Sequence, residues 1–166
     1  MGKQVPIKDS VSTAHKPTLL PRIAVILSTV DELKGYRRWF YAATVYNLLW
    51  GAAIVLFPKA LIRLIGMPLP APIGIWQSVG MIVGVYAVGY WLLARDPRRY
   101  AALIWVGLLG KTFGPIGFLS TAMKGGLPWA FGLTILTNDI LWWPAFWSFA
   151  LKYGVVPIRE ALATEI

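Results

Sequence analysis

Apolar residues along this chain fall into long runs, and charge, proline and glycine collect in the short intervals between them. Four runs, at about residues 38–57, 75–94, 100–123 and 129–153, each reach the roughly 20 residues that a helix needs to cross a bilayer. Their ends are marked by Pro58, by Arg95-Asp96-Pro97-Arg98-Arg99, by Lys124-Gly125-Gly126-Leu127-Pro128, and by Gly154 with Pro157. The pattern predicts an all-α fold: an integral membrane, antiparallel four-helix bundle. Residues 59–66 place Lys59 and Arg63 one helical turn apart beside a Leu/Ile face, which suits a short interfacial helix after the first span. Pro68, Pro70 and Pro72 then require a turn or extended loop. An earlier apolar stretch, residues 19–30, is interrupted by Pro21 and Arg22. It is too short to cross, and the expected role is an interfacial or partner-docking segment. The organisation that follows is a tail and docking segment over 1–35, a bundle over 36–154, and a C-terminal tail over 155–166.

Composition agrees with the pattern. Hydrophobic residues make up 57% of the chain and charged ones 14%, with a mean hydropathy of +0.62, well above an ordinary soluble domain. The net charge of +9 flanks the spans instead of forming a stripe on a polar domain, so nucleic acid is excluded and anionic lipid is the expected counterpart. Lys34, Arg37, Arg38, Arg95, Arg98, Arg99, Lys152 and Arg159 fall on one side, against Lys59, Arg63 and Lys124 on the other. The positive-inside tendency then puts both termini in the cytoplasm, with a bacterial inner membrane as the expected location. Cysteine is absent and His15, in the polar N-terminal stretch, is the only histidine. No metal site, haem or other cofactor of its own is therefore expected, and no catalytic residue stands out.

The candidate chemistry lies inside the apolar runs. Lys111 and Asp139 interrupt the third and fourth spans, where ionisable groups are costly and usually kept for a reason. They lie fourteen residues to either side of Gly125, so in a hairpin both sit roughly 20 Å from the turn, at matching depth. A neutralising ion pair is the expected contact, with Asn138 adding a hydrogen bond. Asn47 and Tyr86 fall at similar depth in the first two spans and would complete a polar cluster. Three readings compete for it: a staple for the bundle, a pocket for a ligand headgroup, and a proton relay through Asp139. Only one carboxylate lies in the spans, which puts the relay last.

Gly80 and Gly84 in the second span, and Gly110 and Gly114 in the third, are spaced for close helix packing. Pro115 and Pro144 should kink the third and fourth spans, freeing the carbonyls of Lys111 and Ile140. Nine tryptophans fit interface anchors and contacts with lipid or a neighbouring subunit.

The architecture, the segments Gly-Met-Ile-Val-Gly-Val-Tyr and Ala-Arg-Asp-Pro-Arg-Arg, and the proline-rich loop before them resemble the DoxX-like group of small membrane proteins. The likeness covers about residues 38–152 and implies a four-helix membrane fold. Because some members serve as membrane subunits of quinone-linked oxidoreductases, it also implies a subunit role, and it transfers no catalytic residue. The leading functional expectation is thus a non-catalytic accessory or structural subunit of a larger membrane assembly. Its partners would be membrane lipids, other membrane subunits or copies of itself. The alternative is a ligand-binding membrane protein whose pocket takes a quinone, lipid or pigment, and a small transporter or proton relay comes third.

Overall fold

The computed structural model describes residues 19–69 and 72–164, and it is helical throughout its ordered elements. The chain divides into two units, residues 1–32 and 33–166. The tail expected over 1–18, with His15, lies outside the described residues, as does Pro70. Helix α1 is Leu19–Leu56 and α2 Ala60–Leu64, followed by α3, Ile73–Arg95, and α4, Leu103–Met123. Three stretches are long and apolar enough to cross a membrane: Ser28–Leu56, Ile73–Arg95 and Leu103–Met123.

Two boundaries differ from the sequence expectation. The stretch 19–30 is helical and opens α1, with Pro21 in the first turn, where a backbone N–H has no helical partner to lose. The apolar run that follows Asp96 turns through residues 97–102 before α4 begins at Leu103. There the Asp96 carboxylate accepts a hydrogen bond from the Arg99 backbone N–H at 3.1 Å. The short helix expected over 59–66 is present as α2. Gly66 closes it and Gly125 follows α4, both at positive φ (70° and 73°), the conformation a glycine adopts without strain after a helix.

The fourth apolar run is where the expectation of one continuous helix, 129–153, fails. A 3-10 turn, Trp129–Phe131, leads into α5, Gly132–Asn138, which stops at Asp139 with φ −120° and ψ −64°. A second 3-10 turn, Ile140–Trp142, leads into α6, Trp143–Phe149. Asn138 and Asp139 have side chains that compete for backbone groups, and Pro144 has no N–H for the Ile140 carbonyl, so continuation through this point is disfavoured from both sides. Pro144 opens α6 in its first turn instead of bending a continuous helix. Nor does the run end at Gly154. A π-helical turn, Ala150–Gly154, passes directly into α7, Val155–Thr164, with Pro157 again in the first turn, where it is tolerated. Residues 155–164 of the segment expected as a C-terminal tail are therefore helical.

Side-chain contacts give the packing. Arg37 Nε donates to the Ala94 carbonyl at 2.8 Å and Gln77 Nε2 to the Val55 carbonyl at 2.9 Å. Each thus satisfies a carbonyl in the last turn of the opposite helix, where no intrahelical donor remains. Arg37, midway along α1, meets the C-terminal end of α3, while Val55 at the C-terminal end of α1 meets Gln77 in the second turn of α3, so the two helices run antiparallel. Between them the backbones touch: a Cβ on Gly51 would meet the Gly80 carbonyl oxygen at 2.7 Å and the Gly84 nitrogen at 2.9 Å. Along α4, Gly107 faces Tyr90 and Gly110 faces Tyr86, so α3 and α4 are antiparallel too. Tyr46–Thr137 at 3.0 Å and Tyr36–Ser148 at 3.2 Å bring the interrupted fourth segment alongside α1.

The core is aromatic and lies toward the arginine-rich end. Phe40 meets Phe149 edge-on at 4.9 Å and Phe146 at 5.6 Å, while Tyr90 meets Phe146 at 5.1 Å. These edge-to-face geometries are favoured by the ring quadrupoles. In the long apolar stretches 33% of residues or fewer are buried, so most of their apolar surface faces outward.

The α1–α3 contact makes a direct prediction. Gly51→Ala places a methyl group against backbone that has no soft neighbour to yield, and should cost about 1–3 kcal/mol. Gly89→Ala, with open space around it, should be neutral. Thermal unfolding of both variants in detergent separates the outcomes.

Candidate functional site: a buried polar cavity at a helix break

The break at Asp139 leaves backbone carbonyls without helical donors, and the site is built around satisfying them. In a continuous helix the Thr137 and Asn138 carbonyls would accept from residues 141 and 142. Here the Trp142 N–H turns back to the Asp139 carbonyl at 3.2 Å. The Trp142 indole donates to the Thr137 carbonyl at 3.0 Å, and the Lys111 ammonium donates to the Asn138 carbonyl. A cation at the C-terminal end of α5 also meets the negative end of its dipole.

Pro115 creates the mirror-image vacancy on α4. It has no N–H for the Lys111 carbonyl, and the Trp143 indole supplies the missing donor at 3.1 Å. Trp143 and Lys111 therefore stitch α4 to the break in the fourth segment, and Trp142 closes the break within that segment.

Lys111 and Asp139 are each 4% exposed. The direct ion pair expected between them is replaced by an indirect arrangement. Lys111 bonds the Asn138 carbonyl, while the Asn138 side-chain amide donates to the Asp139 carboxylate at 3.0 Å. The ammonium also lies over three rings, at 5.6 Å from Tyr90, 5.8 Å from Trp142 and 5.9 Å from Phe146. Each ring presents its negative face to the cation, which lowers the cost of burying it without a contacting carboxylate.

These groups surround a cavity of about 220 Å³. Asn47, Tyr86, Lys111, Asn138 and Asp139, the polar residues singled out from the sequence, all line it, together with Tyr90. Gly107, Gly110 and Gly114 form the α4 wall. Glycine packing on α4 thus serves side chains: a Cβ at Gly107 would strike the Tyr90 ring at 2.6 Å, and one at Gly114 would reach the Asp139 carboxylate at 2.9 Å. Helix-to-helix backbone approach belongs instead to Gly80 with Gly51, a glycine that sequence spacing did not single out.

Tyr90 was likewise missed, because its position in the second-to-last turn of α3 put it near a span end. Its spacing from Tyr86 was the available signal, since residues four apart share a helix face. The lysine cage of Trp142 and Phe146, and the capping role of Trp143, had no signal in sequence.

Two side-chain oxygens at this cavity, Asn47 Oδ1 and Asn138 Oδ1, are buried with no hydrogen-bond partner. Asn47 is only 1% exposed. Buried amide oxygens are nearly always bonded, so a pair at one cavity points to water or a ligand as their partner. At about 220 Å³ the space exceeds the roughly 150 Å³ that accommodates a benzene ring in an engineered cavity. It is smaller than the roughly 300–1,000 Å³ of drug-sized sites. A single ring or a compact polar headgroup fits. Among the described residues no cluster of three or more metal-ligating side chains occurs.

Comparison with protein-family models, with curated proteins and with solved structures returns no match for this chain.

The capping of Lys111 by Trp143 predicts a coupled pair. Trp143→Phe removes the donor to the Lys111 carbonyl and should cost about 1 kcal/mol. Pro115→Ala restores a backbone N–H to the same carbonyl, so in that background the loss should shrink. A double-mutant cycle on thermal or denaturant unfolding reads the coupling, and additive effects would show that the indole does not act as the cap.

Proposed function

We propose that the chain is an integral membrane protein that binds the ring-sized polar headgroup of a membrane-soluble ligand in the cavity around Lys111 and Asp139. In this reading the three long helices and the interrupted segment over 129–154 each cross the bilayer, with the arginine-rich end cytoplasmic. A broken helix at membrane depth is tolerated where its free backbone groups are met by protein or line a cavity, which is the arrangement around Asp139.

The observation that carries the proposal is the pair of unpartnered amide oxygens, Asn47 Oδ1 and Asn138 Oδ1, at a cavity that a ring would fill. Those oxygens accept hydrogen bonds from a ligand hydroxyl. The Lys111 ammonium has three donors, of which one is engaged by the Asn138 carbonyl, and it offers the rest to a ligand carbonyl. Tyr86 and Tyr90 supply aromatic walls and hydroxyls. A headgroup bearing carbonyl or hydroxyl oxygens on a ring, such as that of a quinone, matches this set. Among the described residues Asp139 is the only carboxylate lining the cavity, which favours binding over a proton relay, since a relay needs a chain of titratable groups.

The test starts with protein purified from its native membrane in mild detergent, with mass spectrometry of the solvent extract and of the intact species. The expected result is a ring-bearing lipid in stoichiometric amount. Gly110→Leu, which pushes a side chain into the cavity beside Tyr86, should lose that lipid while unfolding near the wild-type temperature. An empty wild-type extract, reproduced from native membranes, overturns the proposal. If stoichiometric protein partners accompany an empty extract, an accessory-subunit role takes its place.

A further inference from the structure

Among the described residues, contacts cross every seam around the buried cavity but one. Toward the arginine-rich end the Tyr90 ring fills the space at Gly107. Between α1 and α3 the backbones touch at Gly51 and Gly80. Between α4 and the fourth segment Lys111 bonds the Asn138 carbonyl, and Gly114 faces the Asp139 carboxylate. Between α1 and the fourth segment lies the Tyr46–Thr137 hydrogen bond. At the far end Trp50, Trp76, Phe131 and Phe118, one from each segment, form a chain of rings with centroids 5.9, 6.2 and 6.1 Å apart.

The seam between α3 and α4 differs, because it widens along its length. Gly107, Gly110, Gly114 and Gly117 recur at three- and four-residue intervals and so share one face of α4. A Cβ on this face would find α3 progressively farther away. Tyr90 lies at 2.6 Å from the Gly107 position and Tyr86 at 3.6 Å from that of Gly110. At Gly114 the three nearest atoms, out to 3.7 Å, all belong to Asp139. At Gly117 nothing among the described residues lies within 4 Å. The same antiparallel register carries on to Val83 and Val79, and Val79 is 38% exposed. The two helices therefore part beyond Tyr86. Val83, Tyr86, Gly110 and Gly114 also line the cavity, so the gap runs directly into it, near the midpoints of α3 and α4.

We propose that the ligand enters sideways from the bilayer between α3 and α4, and that its apolar tail rests in this gap. The inference rests on the cavity being a headgroup site, and it narrows the ligand class to a ring that carries a hydrocarbon chain. Asn47 Oδ1, buried and unpartnered at the inner end, calls for a polar group there. At about 220 Å³ the cavity takes a ring and leaves no room for a tail. With these helices in a bilayer, an opening at mid-length faces hydrocarbon rather than lipid headgroups. Its walls, glycine on α4 and valine on α3, suit a chain that makes no hydrogen bonds. Tyr86 stands at the threshold in ordinary van der Waals contact with Gly110, and its ring turns aside to admit the headgroup.

The test uses a benzoquinone with a decyl tail that carries a photoactivated diazirine close to the ring. It is added to the full-length protein in phosphatidylcholine vesicles, and labelled peptides are mapped by mass spectrometry after irradiation. The label should fall on the gap-facing stretches of α3 and α4, around Val79, Val83 and Gly117, and excess tail-less benzoquinone should suppress it. Suppressible label on Leu119, Leu133 or Leu136 would show that the tail leaves through the apolar groove between α4 and α5. That result overturns the inference and leaves the headgroup reading standing. Label that is absent, or that excess ring does not suppress, also overturns the inference, and the native-membrane extract then decides the headgroup reading separately. Gly117→Phe fills the gap without altering a residue that lines the cavity. It should lose most of the suppressible label, while tail-less benzoquinone, followed by quenching of tryptophan fluorescence, binds as it does to the wild type. Unchanged labelling of this variant, or equal loss of both compounds, overturns the inference. If Gly117→Phe fails to fold, the wild-type label map decides the matter without it.

Discussion

Backbone carbonyls that lose their helical donors in apolar surroundings must find other donors, and the middle of this molecule is organised by that obligation. Pro115 strips a donor from the Lys111 carbonyl, and the break at Asp139 strips donors from the Thr137 and Asn138 carbonyls. Trp143, Trp142 and Lys111 respectively replace them. Trp143 and Lys111 reach across the α4–fourth-segment interface, so those two repairs also join the segments, while Trp142 acts within the fourth segment. Lys111 takes part twice, as an acceptor through its carbonyl and as a donor through its ammonium. A residue that would be costly as an isolated buried cation is thereby held between a carbonyl and three aromatic faces.

The same constraint explains why the cavity exists. A helix that stops and restarts cannot pack along a continuous ridge, so the α4 wall opposite the break is lined by glycines at 107, 110 and 114. These positions receive the Tyr90 ring, the Tyr86 ring and the Asp139 carboxylate instead of a neighbouring helix backbone. Close backbone packing is confined to α1 and α3, where Gly51 and Gly80 meet and where Arg37 and Gln77 tie the two ends. The molecule therefore combines a tight helix pair with a looser pair that encloses polar space. The aromatic core at the arginine-rich end fixes the geometry of both, because Phe40, Tyr90 and Phe146 draw on α1, α3 and α6 together.

Two features that look alike in composition serve different ends. Basic residues at the helix ends include Arg37, which caps α3, and Arg98 with Lys152, which face a common cleft. The first bonds a backbone carbonyl of a neighbouring helix, and the others line a space. Asn138 uses its amide nitrogen on Asp139 and its carbonyl on Lys111, yet its side-chain oxygen has no hydrogen-bond partner among the described residues. That leftover oxygen is part of the basis for the ligand site proposed at the cavity.

Much of this was legible in the amino-acid order. Runs of apolar residues punctuated by Pro58, Asp96-Pro97 and Gly125-Gly126 located both ends of α3 and α4, and the C-terminal end of α1, to within a few residues. Equal spacing of Lys111 and Asp139 about Gly125 put them at one depth, and the carbonyl freed by Pro115 was identifiable by counting four residues back. Sequence by itself thus determined the all-helical class, the apolar outer surface and the polar residues that meet inside, because hydropathy and helical rise are local properties. It could not show that the fourth run breaks at Asp139, since Trp129 to Tyr153 is as apolar as a continuous span and the break is stable only because distant donors repair it. Nor could it decide whether Lys111 would meet a carboxylate or a carbonyl. That choice, the tyrosine and tryptophan cage, and the cleft shared by Arg98 and Lys152 depend on residues brought together from separate helices. Tertiary structure alone settles them, because the energy of a buried polar group is set by its neighbours in space.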